Sequence, residues 1–414
     1  MKKKRVVVTG MGAVTALGHT IDETWSSLIK GNSGVKKITS FNTDNFSTKI
    51  AAQVQDVDFS EILEKKEVKR NSRFISLGLK AAKEAIDDSK LDIKQIAEKV
   101  GVDVGSGIGG IEVLEESTIN LHTKGPNKIS PFTVPMMICD MSAGMIAIKF
   151  GAKGPNACSV TACASSAHSM GNAYNLISEG KAIAMITGGA EAAISPLGLG
   201  SFCAAKSLSK RNDDPKRASR PFEKDRDGFV MGEGSGILIF EELEHAIDRG
   251  AKIYAEIKGF ASSGDAYHLT APAPEGLGAQ QAMKEAMKDA NVKPSEIEYI
   301  NAHGTSTYLN DKNETAAIKS VFKEHAYECN VSSIKSMTGH LLGASAAIEL
   351  ISSILTIKHG IIPPTINYDI PDPECDLNYT PNTAVKRKVN TILSNSFGFG
   401  GHNAVLIARK YNKE

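Results

Sequence analysis

The segment AAKEAIDDSKLDIKQI at 81–96 returns in weakened form as QAMKEAMKDANVKPSEI at 281–297, with Lys83-Glu84-Ala85 over Lys284-Glu285-Ala286. Each copy reads as helix, polar turn, short strand and small-residue loop, Gly105-Ser106-Gly107 in one and Ala302-His303-Gly304-Thr305 in the other. A second correspondence follows. A strand, Cys163 and a helix in the first half match a strand at 330–336, Met337-Thr338-Gly339-His340 and an Ala/Leu-rich helix from Leu341. The same order of elements twice over implies an internal duplication, with one unit over 1–250 and another over 251–414. Alternating strands and helices make each unit a layered α/β half. Packed about a pseudo-twofold axis, such halves bring equivalent turns together. Cys163, His303 and His340 all lie at strand tips, so the duplication predicts a Cys/His/His constellation.

Around the cysteine, 157–162 reads as a buried strand of small residues. From Ala164 onward Ala167, Met170, Ala173, Tyr174 and Ile177 fall at helical spacing. A cysteine at a strand-to-helix turn meets unpaired N–H groups and the positive end of the helix, which favour thiolate. The alternative is a plain buried core thiol. The local sequence leaves both open.

Lys+Arg 48 against Asp+Glu 47 leaves a net charge of only +1, too little to draw in nucleic acid or a membrane surface. Six scattered cysteines without a CxxC pair argue against a disulfide framework or a zinc site and fit a reducing compartment. Lys2, Lys3 and Lys4 imitate the start of a signal peptide, but VVVTGMGAVTALG is short and glycine-broken and reads as strand and turn. No apolar run reaches about 18 residues, so a soluble, cytoplasmic protein is expected. Gly10-Met11-Gly12 after the first strand lacks the spacing of a dinucleotide-binding turn. A basic cluster at 61–73 holds Lys65, Lys66, Lys69, Arg70 and Arg73, either a solvated helix face or a docking patch for an acidic partner. The charged, glycine-rich stretch 205–236 reads as an ordered loop beside the site. Asp265 and Glu314 read as structural acids.

With TACAS at 161–165, NAHGTST at 301–307, KSMTGHLLGA at 335–344 and NSFGFGGHN at 395–403, the chain resembles the β-ketoacyl-[acyl carrier protein] synthases, most of all the elongating type II enzymes of dissociated fatty acid synthesis. The resemblance spans essentially the whole chain, and it is the ordered set of four motifs that makes it specific. It implies the thiolase-like fold, two duplicated halves in five αβαβα layers, as a homodimer. It implies a decarboxylative condensation of acyl- with malonyl-[acyl carrier protein], with Cys163 as nucleophile and His303 and His340 at the malonyl thioester. The backbone N–H groups of Cys163 and Phe399 would form the oxyanion hole. Lys335, paired with Glu349, would hold His340. Ile108, Phe202 and Phe399 would line or gate the acyl pocket. Lys65, Lys69, Arg70, Lys128 and Lys206 would meet the carrier protein, and Asp265 and Asp311 would support the site. No cofactor or metal is implied, since phosphopantetheine arrives on the carrier.

One motif departs from the pattern. Relatives continue HGTST with Pro-x-Gly-Asp, whereas here Tyr308-Leu309-Asn310 precede Asp311, which should alter the pocket rim. A degradative thiolase would need a second cysteine in the C-terminal loop, where Phe399 and His402 stand instead. Initiating synthases use Cys–His–Asn, and His340 speaks against them. A chain-length partner subunit lacks the nucleophile. A cysteine hydrolase would send water to the thioester. The remaining alternative is a type I or polyketide synthase working on a different chain.

Overall fold

The computed structural model of the chain describes residues 3–412, so Lys2 of the basic N-terminal run lies outside the described residues. Five strands in the first half, β1 (Val6–Val14), β2 (Val100–Gly105), β3 (Asn156–Ala157), β4 (Ala184–Glu191) and β5 (Gly234–Glu242), lie in the order 1-5-4-2-3. Five in the second, β6 (Ala255–Gly264), β7 (Tyr299–Asn301), β8 (Asn330–Ser332), β9 (Thr391–Gly398) and β10 (His402–Arg409), lie in the order 6-10-9-7-8, the same permutation. The directions repeat as well. β1–β5 and β5–β4 are antiparallel and β4–β2–β3 parallel, as are β6–β10, β10–β9 and β9–β7–β8. The two sheets join edge to edge where Val6–Val8 pair antiparallel with Ala255–Ile257.

Six helices cover the sheets in matching pairs: α1 (Arg73–Ser89), α2 (Met141–Phe150), α3 (Ser165–Ser178), α4 (Leu277–Ala290), α5 (Tyr308–Phe322) and α6 (Ser345–His359). α1 and α2 pack on the outer face of the first sheet, and α4, with α5 against it, on that of the second. Between the sheets α3 and α6 touch each other and both sheets, completing five layers. α6 is buried along nearly its whole length, from Ser345 to Ile357, as a helix between two sheets must be. The central hydrophobic cluster accordingly draws on both halves, from Val6 and Met170 to Ile354 and Leu406.

Three local expectations need correction. β1 does not turn at Gly10-Met11-Gly12 but runs through it, because α1 lies directly on the strand. A Cβ at Gly10 would stand 2.2 Å from the Ala85 carbonyl oxygen, and one at Gly12 2.0 Å from that of Ala81. The stretch 157–162 is not a buried strand: only Asn156–Ala157 joins the sheet, at its edge and exposed. Beyond it the backbone leaves the ladder for side chains of α3, Ser159 N–H donating to Ser169 Oγ at 3.3 Å and Thr161 N–H to Ser165 Oγ at 2.9 Å. Strand β8 likewise ends at Ser332, where Ser333 N–H turns to Thr365 Oγ1 at 3.0 Å and a helical turn, Lys335–Thr338, begins. Among the described residues no helix is long and apolar enough to cross a membrane.

Candidate active site

Cys163 sits in a tight turn, Ala162–Ala164, that leads straight into α3. Ala162 has φ +51, a left-handed conformation that costs a non-glycine residue energy and that aims the next side chain off the turn. The second half repeats the device. Leu342 has φ +50, the turn Leu342–Ala344 leads into α6, and the residue in the place of Cys163 is Gly343. The true counterpart of the cysteine is therefore Gly343, with His340 three residues earlier. Here the structure corrects the sequence alignment, which set His340 opposite Cys163.

His303 follows β7, with its backbone N–H donating to Glu314 Oε1 at 2.8 Å and that of Gly304 to Glu314 Oε2 at 2.8 Å. Burial pushes the Glu314 carboxyl up to about 7. His340 N–H donates to the Val230 carbonyl at 2.7 Å, which ties the histidine to the charged 205–236 loop, and the Phe229 ring from the same loop meets the imidazole edge-on at 5.3 Å. The two imidazoles lie with ring centroids 5.4 Å apart, nearly perpendicular.

The ring nitrogens can be assigned from their neighbours. His340 Nδ1 accepts the Leu342 N–H at 3.3 Å and faces the Ser345 hydroxyl at 2.8 Å, so its proton is on Nε2. Lys335 Nζ faces His303 Nδ1 at 3.4 Å, which fixes that ring in the same tautomer. Lys335 also donates to the His303 carbonyl at 2.6 Å and to Glu349. The lysine thus holds His303, not His340 as expected; Ser345 is the residue at His340. Burial first, and the Lys335 charge second, hold both imidazoles well below the usual 6.5. Both are neutral Nε2–H donors.

Cys163, His303, His340, Phe399, Ile108, Phe202 and Lys206 all line one cavity of about 780 Å³ that opens at the surface beside Tyr308 and Leu309. The backbone N–H groups of Phe399 and of Cys163 itself favour the thiolate. Gly398 lets that loop approach, since a Cβ there would meet the Thr161 carbonyl at 2.7 Å and Cys163 N at 3.2 Å. Burial pushes the thiol up to about 12, so the expectation of a resting thiolate is not met: desolvation outweighs the N–H groups at the turn.

Asp311 accepts from Thr305 N–H at 3.1 Å and Phe222 N–H at 2.8 Å, and Asp265 from Ala273 N–H at 3.0 Å and Asn403 at 2.7 Å. Tyr308-Leu309-Asn310 form the first turn of α5, and Arg226, ion-paired with Asp311 and Asp372, caps the carbonyls of Thr307 and Tyr308. Lys65, Lys69, Arg70 and Lys128 are exposed and outside the cavity; the Arg70 guanidinium lies over the Phe132 ring, which puts 65–70 beside the segment carrying Lys128. Sequence reasoning missed Ser345 and Phe229, neither of which carried a signal of its own.

Comparison with known proteins agrees with this geometry. The β-ketoacyl synthase N-terminal domain family matches residues 3–246 and its C-terminal domain family residues 254–369. The 3-oxoacyl-[acyl-carrier-protein] synthase 2 of Synechocystis sp. is 52% identical over 412 residues, 99% of each chain, and that of Staphylococcus aureus 50% over 411 residues, again 99% of each. Among solved structures, a β-ketoacyl synthase from Burkholderia phymatum superposes with a TM-score of 0.93 at 33% identity, covering 99% of this chain and 100% of that one. A type II polyketide ketosynthase in complex with its acyl-carrier protein reaches 0.92 at 37% identity, covering 99% and 100%. The duplicated five-layer fold, the Cys/His/His cavity and these full-length matches place the chain in the β-ketoacyl synthase family.

Proposed function

We propose that the chain catalyses the decarboxylative Claisen condensation of an acyl-[acyl carrier protein] with malonyl-[acyl carrier protein], giving 3-oxoacyl-[acyl carrier protein] and CO2 in the elongation of fatty acids. The observation that carries this reading is the pair of buried imidazoles, centroids 5.4 Å apart, whose Nδ1 atoms are occupied by the fold and whose Nε2–H groups are left for the cavity that holds Cys163. A hydrolase needs one histidine as a base. Two neutral donors suit a developing enolate oxygen.

Cys163 Sγ attacks the acyl thioester, with the Cys163 and Phe399 N–H groups holding the oxyanion. The carrier thiolate leaves and takes up the thiol proton. In the second half reaction the bond from the malonyl α-carbon to the carboxylate breaks, CO2 departs, and the electron pair moves onto the thioester oxygen between His303 and His340. The enolate carbon attacks the acyl-Cys163 carbonyl, the C–S bond breaks, and the released Cys163 thiolate takes up a proton from solvent. Loss of CO2 replaces a strong base at carbon, so the reaction calls for no bound cofactor or metal; phosphopantetheine arrives with the carrier.

Ile108 and Phe202 wall the acyl chain, and Phe399, 36% exposed at the cavity, gates the second substrate. Lys65, Lys69, Arg70, Lys128 and Lys206 receive the acidic carrier protein, Lys206 at the mouth itself. A homodimer is supported by the uncovered sheet edge at β3, flanked by Ile148 (73% exposed) and Val160 (54%). A cytoplasmic location is supported by six cysteines that are all free thiols. Fatty acid elongation fits better than polyketide or type I synthesis because the roughly 50% identical relatives carry the type 2 name.

The test is intact mass of the protein after mixing with a long-chain acyl-[acyl carrier protein], with Cys163→Ala as control, then with malonyl-[acyl carrier protein]. A single adduct that needs Cys163 and clears as 3-oxoacyl product is expected. An adduct that clears only to free fatty acid would mean a hydrolase.

A further inference from the structure

A fully buried carboxylate lies where the two halves meet, and the chemistry above makes no use of it. Glu191, the last residue of β4, is 0% exposed. Its Oε1 accepts from the Ser106 hydroxyl at 2.9 Å and from the N–H groups of Ile108 and Gly109 at 3.2 and 3.3 Å. Its Oε2 accepts from Gly107 N–H at 2.7 Å and from Gly343 N–H at 3.0 Å. Four backbone donors and a hydroxyl, drawn from both halves, converge on one side chain.

What those donors carry gives the contact its meaning. The 106–109 loop presents Ile108 to the cavity, and Gly343 follows Leu342, which lines it from the other half; both wall residues pack with Cys163 and Phe202 in one apolar cluster. The approach is tight. A Cβ on Gly343 would lie 2.3 Å from Gly107 N and 2.7 Å from Glu191 Oε2. An apolar residue at 191 would leave the N–H groups of Gly107, Ile108 and Gly343 without their acceptor, while Gly109 keeps Ser106 Oγ at 3.1 Å; packing alone does not recover that cost.

We propose that Glu191 is a positioning residue for acyl-chain selection: its carboxylate fixes the Gly107–Gly109 backbone against Gly343 and so sets where Ile108 and Leu342 stand in the cavity wall. The proposal deepens the condensing reading and rests on it, since it presumes an acyl chain in the cavity. A residue serving only the fold would affect all substrates alike, whereas a wall anchor changes their ratio.

Glu191→Gln keeps the volume but turns one acceptor into a donor facing backbone N–H groups. The full-length protein is assayed by single-turnover condensation with a short, a medium and a long saturated acyl-[acyl carrier protein]. The ratio of kcat/KM between long and short chains should shift by about tenfold or more, the scale at which a displaced wall discriminates methylenes. Should Glu191→Gln not fold, Ser106→Ala removes one donor to the carboxylate and one of the two acceptors of Gly109 N–H, and should shift the ratio the same way by less. An unchanged length profile in the folded variant overturns the proposal. Wild-type protein that makes no 3-oxoacyl product would instead sink the condensing reading, and this proposal with it.

Discussion

Lys335 Nζ donates to the carbonyl oxygen of His303 at 2.6 Å while facing Nδ1 of the same residue at 3.4 Å. One buried ammonium therefore fixes both the backbone and the tautomer of the His303 ring, and Glu349, itself 1% exposed, balances its charge.

Removing that ammonium should separate stability from chemistry. Lys335→Met leaves the Glu349 carboxylate buried without a cation, which costs about 3–5 kcal/mol and should appear as a lower Tm. The double variant Lys335→Met/Glu349→Leu should recover most of the Tm, because an apolar pair replaces an ion pair at little cost. It should not recover malonyl decarboxylation, which loses the fixed His303 donor and falls by about 10²–10³-fold. A double variant that regains both would show that the pair serves the fold alone.

The Cys163 thiol gives a second expectation. Burial pushes it up to about 12, with the Glu191 charge on the same side and Lys335 and the Phe399 and Cys163 N–H groups opposing. Only a small fraction is thiolate near neutrality, and that fraction grows with pH. Iodoacetamide alkylation, followed by mass with Cys163→Ala as blank, should rise about tenfold per pH unit between about pH 7 and pH 10 without levelling off. A plateau near neutral pH would mean a resting thiolate.

Gly398 tests the oxyanion hole without touching a side chain that reacts. A methyl at 398 would sit 2.7 Å from the Thr161 carbonyl and 3.2 Å from Cys163 N, which forces the loop and the Phe399 N–H away from the sulfur. Gly398→Ala should slow acylation of Cys163 by about 10²–10³-fold, the usual loss for one oxyanion donor. Stopped-flow release of carrier thiol measures it, and a rate within about threefold of wild type would place the hole elsewhere.

The repeated helix and the repeated turn told in advance that two halves would face each other, because hydrophobic order is local and survives divergence. What the sequence did not show depends on contacts distant along the chain. The stretch 157–162 looks like a strand by composition, yet its N–H groups leave the sheet for Ser165 and Ser169. Lys335 and His340 are neighbours in the motif, yet the lysine reaches His303, 32 positions away, and Ser345 takes His340. Alignment of the copies by motif paired Cys163 with His340; only the shared left-handed residue, Ala162 and Leu342, reveals that Gly343 is the counterpart. The local sequence leaves the thiol's ionisation open, because burial is invisible in a string of small residues.

The two histidines yield a prediction in which stability and activity part company. Burial, then Lys335, lowers both well below the usual 6.5. The unfolded chain takes up protons on them below about 6.5, and the folded chain does not. Their contribution to stability is thus complete above that pH and lost as pH falls from there toward the folded values. Glu314 acts in the opposite sense: raised to about 7 from 4.5, it contributes fully below 4.5 and its contribution is lost as pH rises through about 7. Malonyl decarboxylation needs only neutral Nε2–H groups, so its rate should show no midpoint near 6.5 on the folded enzyme. Ser345→Ala removes the hydroxyl that faces His340 Nδ1 at 2.8 Å and leaves the Leu342 N–H as its one remaining donor. That variant should lose about tenfold in decarboxylation, with Cys163 acylation unchanged, and Ser345→Thr should restore it by returning the hydroxyl. A midpoint near 6.5 in wild type, or an equal loss in both half reactions of Ser345→Ala, would contradict the neutral-donor assignment on which the condensing chemistry stands.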